Sequence, residues 1–538
     1  MSMVCKSKKS LEALSKFIVS TIHWFARNPL LLLVFAVAVA RLIVLASYPL
    51  MDTTEARYAD IGRMMAESGD WITPWFRPGI PFWGKPPLSF WCTALSFKLF
   101  GVNEFTARLP HWILGVLGGW LVWDLAARRS IREAVIAVSL LTGCLIYYFS
   151  SGAVMTDMAL TLGMTLSMWS FWLAVQPNQL HGLQNRARWL FFVSLGWGLL
   201  AKGPLAPVLA GLAIGAWLLA SRSYWPEVRR LPWVRGFILS LAVAAPWYLA
   251  AEQKTPGFLN YFLVGEHIKR FLIPGWDGDL YGNAHIYPRG MIWLFLLLML
   301  IPWTVIIPGF LCFGKRRKTS LSLPLNSSAV LINSNQIAWR NYLLAWGLMP
   351  AVFFTFASNI IMPYVLPGIP ALALLGGYYL VRKDPRRVDQ LLATGLSIVL
   401  VVSLVFVVVF PMTGYGERKS ERSLIHYYQS RLANGSTKRG TKSGINSANK
   451  AAPLVYLGQH PYSASFYSNG NLSAIPSTSA LIDRLDKQDS LIVAISNDQD
   501  PEVSSLIQER LKKIKAFRRY SLYSENPDRP IPSAKPQG

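Results

Sequence analysis

Long apolar stretches alternate with short polar connections along most of this chain. Apolar runs fall near 29–49, 110–126, 132–150, 154–175, 187–201, 203–220, 235–252, 290–314, 341–357, 363–381 and 389–410. Many approach or reach the roughly 20 residues with which a helix crosses a bilayer. The pattern predicts about eleven membrane-spanning helices, and broken or tilted segments such as 87–101 raise that to about thirteen. After residue 410 the pattern changes. Ser, Asn, Gly, Lys and Arg crowd 432–451, a composition expected of a flexible linker. Beyond it, short apolar runs at 453–457, 490–495 and 516–523 alternate with helical patterns at 478–485 and 501–514, which predicts a small α/β domain. The expected organisation is a polytopic α-helical membrane domain over 1–413, a linker over 414–451 and a small soluble α/β domain over 452–538.

Composition agrees with this reading. The chain is 52% hydrophobic and only 15% charged, too apolar for a soluble protein. Its net charge of +25 would suit nucleic acid, but the Lys and Arg residues sit mostly in short connections between apolar runs. The positive-inside rule predicts that placement, so anionic membrane lipids are the expected partners and nucleic acid is not. Sidedness follows from the same rule. One side, read as cytoplasmic, receives the amino terminus with Lys6, Lys8, Lys9 and Lys16, the basic turns at 128–132, 186–188, 229–235 and 382–387, and the connector 315–339. The other receives loop 51–109, the turns near 151–157, at Lys202 and at 358–362, loop 253–289, and everything after 410. The basic first 28 residues lead into an apolar run without a convincing cleavage site, which reads as an uncleaved first span. Cys5, Cys92, Cys144 and Cys312 lack metal-ligand spacing and suggest no disulfide framework.

The polar residues that need explaining fall on the non-cytoplasmic side. Asp52 and Glu55 open the stretch 51–91; their spacing also matches a capping box, in which the side chains satisfy free N–H groups at a helix start. Asp157 begins an otherwise apolar span, where a carboxylate costs a few kcal/mol unless it meets water or a partner; helix N-terminal stabilisation is the plainer reading. Lys202 interrupts an apolar stretch at a Gly-Pro turn, and either snorkels or reaches a phosphate at head-group level. Lys85 precedes two prolines and is held extended. With Arg270 it would clamp a phosphate, or both cations meet lipid phosphates. Glu266 and His267 are the one candidate pair for a divalent metal, against the plainer reading of a hydrogen-bonded histidine.

Taken in order, Asp52-x-x-Glu55-Ala56-Arg57-Tyr58-Ala59, Gly69-Asp70-Trp71, Lys85-Pro86-Pro87, Thr156-Asp157, Lys202-Gly203-Pro204, Glu266-His267 with Arg270-Phe271, Pro302-Trp303 and Pro363-Tyr364-Val365-Leu366-Pro367 form a recognisable series. Over about residues 30–410 the chain resembles the lipid A 4-amino-4-deoxy-L-arabinose transferases and their protein mannosyltransferase relatives of the GT-C superfamily. The series departs from that family in two places: Thr54 stands directly before Glu55, and Gly84 stands before Lys85-Pro86-Pro87 where an acid is usual. The resemblance implies an inverting glycosyltransferase of the bacterial inner membrane, with an active site facing the periplasm and a cytoplasmic amino terminus. A polyprenyl-phosphate-linked sugar would be the donor, with its phosphate near Lys85, Lys202 and Arg270. Asp52, Glu55 and Asp157 would border the reacting sugar, with Arg57, Tyr58 and Tyr364 as further substrate contacts. The acceptor implied is lipid A or another lipopolysaccharide component, with a protein or another glycan as the alternative. A flippase for lipid-linked sugars is the rival from another class, but no repeated halves are visible and the polar groups are skewed to one face. A membrane scaffold for the end domain would not require those cations to share a side.

Overall fold

A computed structural model describes residues 28–177, 179–282, 285–313, 327–433, 452–487, 491–498 and 510–525. Its longer helices, in chain order, are α1 (Pro29–Val44), α2 (Thr54–Ser68), α3 (Leu88–Phe100), α4 (Glu104–Ala127), α5 (Ile131–Thr142), α6 (Asp157–Val175), α7 (His181–Lys202), α8 (Leu205–Ala220), α9 (Trp233–Lys254), α10 (Met291–Met299), α11 (Trp303–Phe313), α12 (Ser327–Phe354), α13 (Ile369–Leu380) and α14 (Pro385–Met412). Two compact units divide the chain: residues 1–46 with 65–406, and residues 47–64 with 407–538. The second unit thus takes in the start of α2 and the last residues of α14 from 407 onward.

In the first unit α6 is the central element. Of its apolar window 89% is buried, against 28% in α9 and in α14. Side chains that are apolar on every face fit a helix enclosed by other helices or by lipid. The wall helices instead turn Leu404, Val401 and Ile238 outward. By length and composition three described helices can cross a membrane, α6, α9 and α14, or five if two bent pairs each count as one span. Those are fewer than the apolar runs suggested, because many runs fold into helices that are too short, too polar or broken. The run 290–314 is such a case: α10 and α11 meet at 76° around Pro302. The carbonyls freed at the break are taken up by neighbours, Ile301 O by the Leu145 amide at 3.0 Å and Met299 O by the Cys144 thiol at 3.2 Å. The Trp303 indole donates to Leu140 O at 2.7 Å.

Two buried arginines in this unit are tied to backbone. Arg41, 2% exposed in apolar α1, donates to Phe149 O and Ser151 O. Arg108 of α4 donates to Leu45 O at 2.8 Å. One glycine is required by packing alone: a Cβ on Gly368 would overlap the Gly347 carbonyl oxygen of α12.

The second unit is built on a five-stranded sheet of β3 (Leu454–Leu457), β4 (Ser473–Ile475), β5 (Ile492–Ser496), β6 (Leu511–Ala516) and β7 (Tyr520–Glu525); β1 (Trp75–Arg77) and β2 (Ile80–Pro81) form a small hairpin in the first unit. The order is β4-β3-β5-β7-β6, with β3 parallel to β4 and β5, and β7 antiparallel to β5 and β6. Helices α15 (Arg422–Tyr427), α16 (Tyr462–Tyr467) and α17 (Thr478–Leu485) complete it. The helix expected over 478–485 is α17. The helix expected over 501–514 is corrected at its end, where 511–516 is edge strand β6: Lys512, Lys513 and Lys515 mark an exposed edge, where lysines discourage further pairing. Residues 501–509, most of the linker 432–451, the amino-terminal basic segment and the core of the connector 315–339 lie outside the described residues.

Candidate active site

A cavity of about 170 Å3 in the first unit is lined by Lys85, Lys202, Glu266, His267, Arg270 and Tyr364, with Phe262, Phe271, Phe353 and Phe354 in its apolar wall. Separate stretches of chain deliver the polar groups. Lys85 comes from the bend at 84–85, just ahead of Pro86, Pro87 and α3. Lys202 is the last residue of α7, which stops because Gly203 turns to φ +71° before Pro204. A Cβ at Gly203 would press on Phe262 and His267, so glycine is required there on both counts. Helices α6 and α7 pack as an antiparallel pair, which sets Asp157 at the start of one beside Lys202 at the end of the other. Glu266, His267 and Arg270 belong to a π-wound segment, Asn260–Lys269, and its cap; such wide turns recur at functional sites.

The electrostatics are closely balanced. Glu266 receives Lys85 Nζ at 2.9 Å and Arg270 Nη1 at 3.0 and 3.1 Å, and Tyr261 donates to it at 3.3 Å. Arg270 also meets Asp279 at 3.3 Å. Lys202 pairs with Asp157 at 2.6 Å, and its ammonium lies 4.8 Å from the Tyr364 ring centroid. Burial would raise the Glu266 carboxyl, but the charges of Lys85 and Arg270 more than offset it and hold it below the usual range. Burial lowers His267 and keeps it neutral. Three cations thus face three carboxylates, with Glu266 occupying the position between Lys85 and Arg270 that an external anion would take.

The Glu266 and His267 pair does not fit a metal. His267 directs Nδ1 at Phe262 O, 2.7 Å away, and Nε2 at Lys202 O, 3.3 Å away, while Glu266 is consumed by two cations. Among the described residues no group of three His, Cys, Asp or Glu side chains could hold an ion.

Asp52, Glu55, Arg57 and Tyr58 lie in the second unit. Asp52 does not cap α2. Its carboxylate accepts from the Ser463 amide at 2.9 Å, the Ser463 hydroxyl at 2.6 Å and Arg519 at 2.7 Å, and its own amide donates to Lys419 O. These contacts tie the head of α2 to the sheet domain across more than 400 residues of chain. Arg57 lies over the Tyr58 and Tyr462 rings, 5.4 and 5.7 Å from their centroids. Sequence reasoning missed Asp279, Tyr261, Ser463, Arg519 and Glu421. Asp279 and Tyr261 lay within the loop singled out, but carry no pattern that separates them from other loop residues.

Residues 25–262 match the family model of the dolichyl-phosphate-mannose-protein mannosyltransferases. An undecaprenyl phosphate-α-4-amino-4-deoxy-L-arabinose arabinosyl transferase of Edwardsiella ictaluri is 32% identical over 358 residues, which cover 65% of this chain and 59% of the relative. One from Pseudomonas fluorescens is 29% identical over 394 residues, 70% and 62% respectively. The chain thus spans less than two thirds of the length of these relatives. The crystal structure of ArnT from Cupriavidus metallidurans bound to undecaprenyl phosphate superposes with a TM-score of 0.70 at 19% identity, covering 92% of this chain and 98% of that one. Lys85, Asp157 and Lys202 fall inside the family match; Glu266 and Arg270 lie just beyond it. The chain has the GT-C fold of ArnT and is similar in sequence to the undecaprenyl phosphate-aminoarabinose transferases and the protein mannosyltransferases.

Proposed function

We propose that this chain is an inner-membrane glycosyltransferase that moves a sugar from a polyprenyl-phosphate donor to lipid A or a related lipopolysaccharide acceptor at the periplasmic face. The observation that carries the reading is the cavity in which Lys85, Lys202 and Arg270 meet against a wall of phenylalanines. An apolar wall suits a polyprenyl chain, and the cations suit its phosphate. The acceptor oxygen attacks the anomeric carbon, the bond from that carbon to the phosphate oxygen breaks, and the polyprenyl phosphate leaves with the bonding electrons. Charge accumulates on that phosphate as the bond breaks, and preorganised cations are most effective there. If the acceptor is itself a phosphate, no base is needed. Asp157 then has two tasks, holding Lys202 in place and facing the electron-poor sugar. The relatives named as aminoarabinose transferases support this donor and sugar class.

The test is transfer by the purified full chain in proteoliposomes, with undecaprenyl phosphate-aminoarabinose as donor, lipid A as acceptor and mass spectrometry as readout. A pentosyl mass added to lipid A, and lost in Lys85→Ala with Arg270→Ala, is the expected result. Sugar appearing on protein with unchanged lipid A would overturn the acceptor, and no donor turnover with any acceptor would overturn the reaction class.

A further inference from the structure

The second unit holds a polar cleft that the proposed reaction does not use. Its volume is about 470 Å3. Ser420 and Glu421, just ahead of α15, line one part; Lys515, Phe517, Arg518 and Arg519, from the end of β6 and the β6–β7 turn, line another. Arg519 is the one of these cations met by carboxylates, Asp52 at 2.7 Å and Glu421 at 3.4 Å. Lys515 rests over aromatic rings, 4.3 Å from the Tyr427 centroid and 5.2 Å from that of Phe517. Among the described residues neither Lys515 nor Arg518 has a carboxylate partner.

The facing groups are unusual in the opposite sense. Ser420 and Glu421 are 4% and 2% exposed, yet the Ser420 hydroxyl and Glu421 Oε1 make no hydrogen bond. A buried hydroxyl left this way costs about 1–3 kcal/mol, and Glu421 Oε1 has only the 3.4 Å contact to Arg519, so a ligand donor on either is worth more than on an open surface. Unpaired cations call for an anion. A bare phosphate would not serve Glu421, a carboxyl that calls for a hydroxyl or amine donor, and burial pushes that carboxyl up to about 7, where it can also donate. A phosphate is also far smaller than the cleft.

We propose that this cleft binds a phosphate-bearing saccharide, with the phosphate on Lys515 and Arg518, sugar hydroxyls on Ser420 and Glu421, and the apolar sugar face on Phe517. The proposal rests on the glycosyltransferase reading and deepens it, since it gives the end domain a part in recognising a phosphorylated sugar other than the donor.

Hydrogen exchange read by mass spectrometry on the full chain in nanodiscs localises binding. Glucose 1-phosphate should protect the backbone around 417–424 and 515–520, inorganic phosphate should protect it less, and glucose should not. Lys515→Gln and Arg518→Gln should each weaken that protection roughly tenfold, the loss of one charge-assisted contact, whereas Lys515→Arg should retain it and vouch for folding. Lys85→Ala should abolish sugar transfer and leave this protection intact, so failure of either idea is recognisable. Absence of protection by glucose 1-phosphate in the native chain would overturn the proposal. Equal protection by phosphatidylglycerol in the nanodisc without saccharide would overturn the saccharide assignment in favour of a lipid head group.

Discussion

Replacing Glu266 by Gln keeps the shape of the side chain and removes the charge that Lys85 and Arg270 share. Each contact is near 3 Å, and at an effective dielectric of about 20 a unit pair at that distance is worth roughly 5 kcal/mol before desolvation. Removing one partner of a buried pair typically costs about 3–5 kcal/mol. Because Lys85 and Arg270 retain 19% and 23% exposure, screening favours the lower end, about 3 kcal/mol. For a chain of this size that is a fall in Tm of roughly 3 °C. A phosphate between the same cations restores what the substitution removes. Thermal unfolding of the purified chain in detergent, with and without undecaprenyl phosphate, should show Glu266→Gln less stable when empty and more strongly stabilised by the phosphate than the native protein. The acid limb has a matching sign. The Glu266 carboxyl is held below its ordinary value, so its contribution is complete above the usual glutamate range and is lost as pH falls through the lowered value. Equal Tm values and equal phosphate responses in the two proteins would refute the view that Glu266 stands in for the donor phosphate.

Three further outcomes follow from geometry already described. Asp157→Asn and Lys202→Met should each destabilise by about 3 kcal/mol and combine to less than the sum, because the double variant leaves no unpaired buried charge; an additive double-mutant cycle would show that the pair is not coupled. The raised Glu421 carboxyl gives the second unit a stability term that is full below the ordinary glutamate value and fades as pH rises toward about 7, a change on the order of 3 kcal/mol that Glu421→Gln should flatten in denaturant titrations across that window. Asp52→Asn should loosen the tie to Ser463 and Arg519 by about 1–3 kcal/mol and increase hydrogen exchange around 461–467; unchanged exchange would remove the structural role assigned to that carboxylate.

Apolar periodicity was enough to anticipate a helical membrane protein, the helix over 478–485 and a small α/β region near the carboxy-terminal end, whereas the segment 87–101, read as a broken or tilted span, holds the short helix α3. The cations expected on a phosphate, Lys85, Lys202 and Arg270, were selected by their common side, and they line one cavity. The partners were not legible. Asp-x-x-Glu is a local signal, and nothing local announces that the Asp52 carboxylate is met by Ser463 and Arg519. Nor does a sequence pattern distinguish a free cation clamp from one already closed on Glu266. Strand β6 was misread because Lys-Lys-Ile-Lys is as compatible with a polar helix as with a sheet edge. The run 290–314 was read as one span because hydropathy does not register the direction of a chain on either side of Pro302.

That break between α10 and α11 constrains how the protein can be assembled. Within hydrocarbon, a backbone carbonyl without a partner costs several kcal/mol, so an interrupted helix is tolerated only where protein covers the interruption. Here the cover is the Cys144 thiol and the Leu145 amide, and both belong to a segment synthesised some 150 residues before the break. By the time α10 and α11 leave the ribosome, the groups that complete them have already been synthesised. The bent pair is therefore a latecomer completed by groups made earlier in the chain, and damage near Cys144 is expected to surface as misinsertion at Met299 rather than at its own position.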